Sequence, residues 1–161
     1  MARQFSLVAQ AYERNLLAPA ADAAGRTGTY RSLKNALKAY IVVCVNQGNA
    51  STVLLSVLQA SAVAGTGSKA ITATPIWANQ DEAAADGDVA QAAAATFTTS
   101  AALKIKRVVF EIVPEQCMDT VNGFDCITVS TGASNAANIT EAHLVVIPSY
   151  QQASPPNSLV D

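Results

Sequence analysis

Apolar and polar residues alternate along most of this chain with the period of two that places successive side chains on opposite faces of a strand. Residues 38–46 are the clearest case, a nine-residue run holding β-branched Ile41, Val42, Val43 and Val45 that stops at Gln47, Gly48 and Asn49. Residues 52–61 resume the pattern with apolar side chains on both faces, which predicts a strand covered on both sides. With Gly48 and Asn49 between them, the two runs are expected to form a hairpin. Residues 71–78 read as a strand in which Pro75 demands an edge or a bulge, because proline cannot donate to the ladder. Trp77 is expected to anchor the core there. Further strands are predicted at 96–99, 103–113, 124–130 and 139–147, the last stopped by Pro148. Residues 114–119 read as a helical turn, and the alanine-rich 89–95 fits either a helical turn or a strand.

Before residue 37 the pattern is weak. Residues 5–17 could form a short helix, but Pro19 and the small residues up to Thr29 interrupt it. The reading is an extended N-terminal arm over 1–36, a β-sandwich domain over 37–150 and an extended C-terminal tail over 151–161 containing Pro155 and Pro156. Seven or so short strands at turn-punctuated spacing, with one helix at most, define the fold class: all-β, an antiparallel sandwich or barrel.

Charge sharpens this division. Arg3, Arg14, Arg26, Arg31, Lys34 and Lys38 against Glu13 and Asp22 give the first 38 residues a net +4, and the remainder is −6. Charged residues make up only 14% of the 161, against roughly 25% in ordinary domains. A basic leader ahead of an acidic, charge-poor body suits subunits that bind one another or a shared acidic lattice. No apolar run approaches the ~20 residues of a membrane span, and the opening residues lack the continuous apolar stretch of a secretory signal. Synthesis in a reducing cytoplasm is expected, and the odd number of cysteines, Cys44, Cys117 and Cys126, agrees with it.

Chemistry finds little to work with. His143, the single histidine, sits within a strand pattern, and no Gly-x-Ser-x-Gly turn occurs to present a nucleophile. The run Gly65, Thr66, Gly67, Ser68 lacks the lysine spacing of a phosphate-binding loop and reads as a hairpin loop. Asp81, Glu82, Asp86 and Asp88 cluster, but their spacing is not that of a calcium loop, so no metal or other cofactor is expected. Lys104, Lys106 and Arg107 have no interleaved aromatics to stack bases, which argues against nucleic acid.

Several loop signatures carry a resemblance: Ser32-Leu33-Lys34-Asn35, Asn46-Gln47-Gly48-Asn49, the run from Ala64 to Lys69, Pro75-Ile76-Trp77, Gly123-Phe124-Asp125-Cys126 and the run from Thr131 to Asn135. In these, from about residue 28 to 148, the chain resembles the capsid decoration, or cement, proteins of tailed bacteriophages and prophages. The resemblance implies jelly-roll-like β-sandwich subunits on the outside of the virion head, bridging neighbouring major capsid protein subunits and contacting copies of themselves as dimers or trimers. No catalytic residue, membrane contact or direct nucleic-acid contact is implied. On that reading Arg14, Arg26, Arg31 and Lys34 meet acidic groups on the shell or an adjacent subunit, and Phe5, Leu7, Tyr12 and Leu16 supply apolar anchors. A glycan-binding spike or adhesin head and a tail structural subunit remain alternatives, with an enzyme last.

Overall fold

A computed structural model describes residues 7–84 and 87–150. A helical turn, α1 (Leu7–Gln10), leads into β1 (Tyr12–Ala21), the short β2 (Arg26–Thr27) and β3 (Arg31–Ser32), and the long β4 (Ala36–Gln47). Then follow β5 (Leu54–Ala60), β6 (Lys69–Ala70), β7 (Thr74–Asn79), β8 (Val89–Ala94) and β9 (Thr96–Thr98). The described part closes with β10 (Ile105–Ile112), the turn α2 (Pro114–Cys117), β11 (Cys126–Thr131) and β12 (Asn138–Pro148). Two antiparallel sheets result, one ordered β1-β12-β4-β10-β7-β8 and the other β2-β11-β5-β6, with β3 also on β11 and β9 also on β5. The fold is an all-β sandwich, as the alternation predicts.

Strand periodicity fills its interior. Ala39, Ile41, Val43 and Val45 of β4 point inward with Val108, Phe110 and Ile112 of β10 and Ala142, Leu144 and Val146 of β12, all but fully buried. Leu55 and Val57 of β5 and Ile127 and Val129 of β11 meet them from the second sheet. Each such side chain removed from water contributes roughly 1.5–3 kcal/mol, which is what holds the layers together.

Three expectations need correction. First, β4 and β5 are not a hairpin. They belong to different sheets, and the segment between them carries the chain across the sandwich. Gly48 serves that crossing through close approach, since a Cβ there would lie 2.5 Å from the Ala137 carbonyl oxygen. Second, the proposed arm is part of the body from Tyr12 onward: β1 pairs with β12 from Tyr12↔Val146 to Ala21↔Ile139. Two register shifts interrupt that pairing, between Asn15 and Leu17 and between Leu17 and Ala20. The first lets Leu16 and Leu17, adjacent in sequence, both reach the core, and the second accommodates Pro19. Third, Trp77 faces outward and is 40% exposed.

A buried polar knot fixes the end of β1. Asp22, fully buried, accepts hydrogen bonds from Arg26 Nε and Nη2 at 3.2 Å each, from Thr131 Oγ1 at 2.9 Å and from the Thr140 hydroxyl. The Arg26 guanidinium also donates to the carbonyls of Ala18, Ala20 and Thr140 at 2.7–2.9 Å. One ion pair thus joins β1, β2, β11 and β12.

Candidate docking surface

The outer faces of the two sheets differ. Over the second sheet, Tyr30 packs with Ala60, Cys126 and Leu58 in a small satellite core. Gly65 closes over it, its φ of +81° and a Cβ position 2.9 Å from the Tyr30 ring both excluding a side chain. The Tyr30 hydroxyl bonds Ser68 Oγ. The chain's own loops thus cover the Ala60–Cys126 end of that face, while Leu54 at the other end is 42% exposed.

The first sheet carries no such cover among the described residues. Register places Asn15, His143, Val42, Val109, Trp77 and Ala90 in one row across all six strands of its outer face. Glu13, Val145, Tyr40 and Glu111 form the next row. The centre is therefore apolar: Tyr40, Val42, Val109 and Val145 half-buried among themselves, with the Trp77 indole beside them.

Charges around this band are already paired. Lys38 binds Glu111 and sits 5.2 Å from the centre of the Tyr40 ring. Its ammonium is held above the usual lysine range, chiefly by the Glu111 hydrogen bond. Trp77 Nε1 donates to Glu111 Oε2 at 3.4 Å. His143 Nδ1 lies 3.0 Å from Glu13 Oε1. Arg107 holds Asp88 at 2.9 Å and Glu82 at 3.7 Å, and Lys104 holds Asp81 at 3.0 Å, so the acidic loop meets cations of its own chain. Asp86 lies outside the described residues. At the far end of the face a hollow of about 230 Å³ is lined by Pro19, Cys44, Asn46, Ile105, Ile139 and Glu141. Burial pushes the Cys44 thiol up, which lowers its thiolate content and its reactivity.

The eight interface residues read from the sequence do not form one patch. Leu16 is core and Arg26 belongs to the Asp22 knot, so neither is free to meet a partner. Phe5 lies outside the described residues. Tyr12 packs half-buried at the core's edge, with Arg14 5.4 Å from its ring centre. Arg31 reaches the Asn15 carbonyl at 3.4 Å, and Lys34 lies 3.7 Å from Asp125. Leu7, 43% exposed, and Arg14, Arg31 and Lys34 remain accessible on the surface. The basic cluster at 104–107 also divides, because Lys106 turns fully inward while its neighbours stay on the surface.

No disulfide joins Cys44, Cys117 or Cys126, and no group of three or more His, Cys, Asp or Glu among the described residues could hold a metal ion. No helix among them is long and apolar enough to cross a membrane. Among the described residues the fold defines an antiparallel β-sandwich with one face partly covered by its own loops and one face open. No family model and no curated protein matches the chain. Among solved structures it is similar to the SPBc2 prophage-derived protein YomS, with a TM-score of 0.49 and 10% identity, over 84% of this chain and 92% of that one.

Proposed function

We propose that this chain is a structural protein of a tailed bacteriophage virion that docks on the outside of the head and bridges neighbouring major capsid protein subunits. The observation that carries the proposal is the apolar band of Tyr40, Val42, Trp77, Val109 and Val145, uncovered among the described residues and bordered by the Lys38–Glu111 and Arg107–Asp88 ion pairs of the chain itself. Contiguous apolar surface with a paired polar rim is what a second protein covers. The resemblance of the loop signatures to those of decoration proteins supports the shell as that second protein. A head filled with DNA pushes outward, and a subunit lying across a seam adds its binding free energy to every seam it covers. Arg14, Arg31 and Lys34, accessible elsewhere on the surface, are the cations expected to meet acidic groups on the shell. The role is binding without catalysis, on the virion exterior after synthesis in the host cytoplasm.

The test is co-sedimentation of purified protein with heads that lack it. Val42→Lys, which plants a charge at the centre of the band, is expected to lose binding at least tenfold while its melting curve stays near wild type; undiminished binding by that variant would overturn the proposal. Imaging of labelled protein on whole particles separates head from tail. One feature favours a second reading as a glycan-binding head: the exposed Trp77 indole beside the Glu111 carboxylate offers a stacking face with an acceptor. A glycan array without a hit removes it.

A further inference from the structure

We infer that β8 is a self-pairing edge: two copies of the chain join β8 to β8 antiparallel, centred on Ala90, to make one continuous sheet. This holds for whatever particle the protein serves.

Among the described residues β8 ends the first sheet and pairs with one strand only, β7, its Val89 carbonyl also accepting from Gln91 Nε2 at 3.1 Å. Exposed edge strands template pairing with other chains, and proteins ordinarily blunt them with charge, proline, brevity or bulges. The other edges follow that rule. β1 carries Glu13, Arg14, Pro19 and two bulges. β2, β3 and β6 are two residues long and hold Arg26, Arg31 and Lys69 respectively, and β9 has three residues.

β8 instead reads Val-Ala-Gln-Ala-Ala-Ala, with no charge and no proline, and exposed from Val89 to Ala93. A register shift opposite Pro75 leaves Val89, Ala90 and Gln91 in regular pairing with β7. Its flanking carboxylate, Asp88, is neutralised by two hydrogen bonds from Arg107. The strand is therefore electrically neutral along its open side.

Neutrality and symmetry select the occupant. A partner of opposite charge finds nothing here to read, whereas two identical neutral strands meet without repulsion. Antiparallel pairing about a two-fold axis joins this edge to itself and so stops at two subunits. The small side chains of Ala90, Ala92 and Ala93 let the second backbone approach. Residues directly opposite in such a pair lie on the same face, so the Trp77–Ala90 rows of the two copies meet and both outer faces look the same way. The dimer presents a doubled platform.

The test uses the full chain in sedimentation velocity. Wild type is expected to be a dimer at on the order of 100 µM and a monomer at on the order of 1 µM, since a short strand pair buries less than the ~1,200 Å² of a tight interface. Ala90→Lys and Ala90→Glu each put like charges opposite across the axis and are expected to be monomeric throughout, with unchanged melting curves. Mixed one to one, they are expected to restore the dimer, because opposite charges now face each other. A monomeric wild type at 100 µM, a dimeric Ala90→Lys, or a mixture that stays monomeric would each overturn the inference. So would a wild type that is monomeric alone yet loses a different partner on Ala90 substitution, which would give the edge to another chain.

Discussion

The two edges of the first sheet are held by different chemistry. β1 is long, bulged and charged, and its end is knotted by Asp22 and Arg26, a buried pair in which both signs are present. β8 is short and neutral, and the uncharged run that continues from it through β9 is tied down at its end. There Lys106, fully buried, donates from Nζ to the Ser100 carbonyl at 2.6 Å and to Gln47 Oε1 at 2.8 Å. Gln47 Nε2 donates to the same carbonyl at 2.8 Å, and Thr99 Oγ1 donates to Gln47 Oε1 at 2.9 Å. No ion pair of Lys106 occurs among the described residues, so its charge is met by neutral acceptors alone, and burial lowers its proton affinity. One edge is sealed along its length; the other is pinned from behind and left plain in front.

The largest expected effect breaks the sealed edge. Asp22→Ala strands the Arg26 guanidinium and orphans two hydroxyls, and should cost about 3 kcal/mol in urea unfolding. Next is Gly28→Ala. Its Cβ would sit 2.7–3.0 Å from Thr128 Oγ1 and the carbonyls of Leu16 and Val129, so β1 and β11 must part, at about 2 kcal/mol by thermal melting.

Lys106→Met tests the pinned edge and has the opposite sign. Both acceptors keep a neutral donor, while the burial cost of the charge disappears, so a gain of about 1 kcal/mol at neutral pH is expected. The pH dependence follows from the lowered folded-state affinity. Below it both states hold the proton and stability is flat; between it and the ordinary lysine value of 10.5 only the unfolded chain keeps the proton, so wild-type stability rises with pH. A denaturation series towards alkaline pH should show that rise as a growing stability of wild type relative to Lys106→Met, a difference in which the raised Cys44, Cys117 and Tyr12 groups cancel. The smallest effect belongs to Glu13→Gln. Its pairing with His143 is half-exposed, and equilibrium unfolding should move by less than ~0.5 kcal/mol.

Sequence periodicity located the strands whose alternation is unbroken: β4, β5, β10, β11 and β12 all fall within a few residues of the runs that predict them. It missed β1 because two adjacent leucines and Pro19 break the period of two, and only the bulges opposite β12 explain how Leu16 and Leu17 turn the same way. The partner of β4 was equally illegible. A short Gly-Asn connection fits a hairpin and a crossing between sheets alike, and the choice depends on β12, far away in the chain. For the proposed docking surface, the low charge content gives the expectation of a partner, whereas the basic residues near the start do not reveal the intramolecular duty of Arg26. Its role depends on Asp22 being buried, which no local pattern shows. Trp77 lies outward because alternation assigns residues to two faces without saying which of them is inward.

Because β1 has β12 as its sheet partner, and the Asp22–Thr140 bond spans 118 residues, the sandwich cannot be finished until its last strand has left the ribosome. Until then Leu16 and Leu17 have no seat and β4 lacks one neighbour. A chain that terminates early keeps an open seam beside its longest strand, where chaperones and proteases act. Synthesis therefore carries its own proofreading, in which the emergence of β12 is a condition for closing the fold.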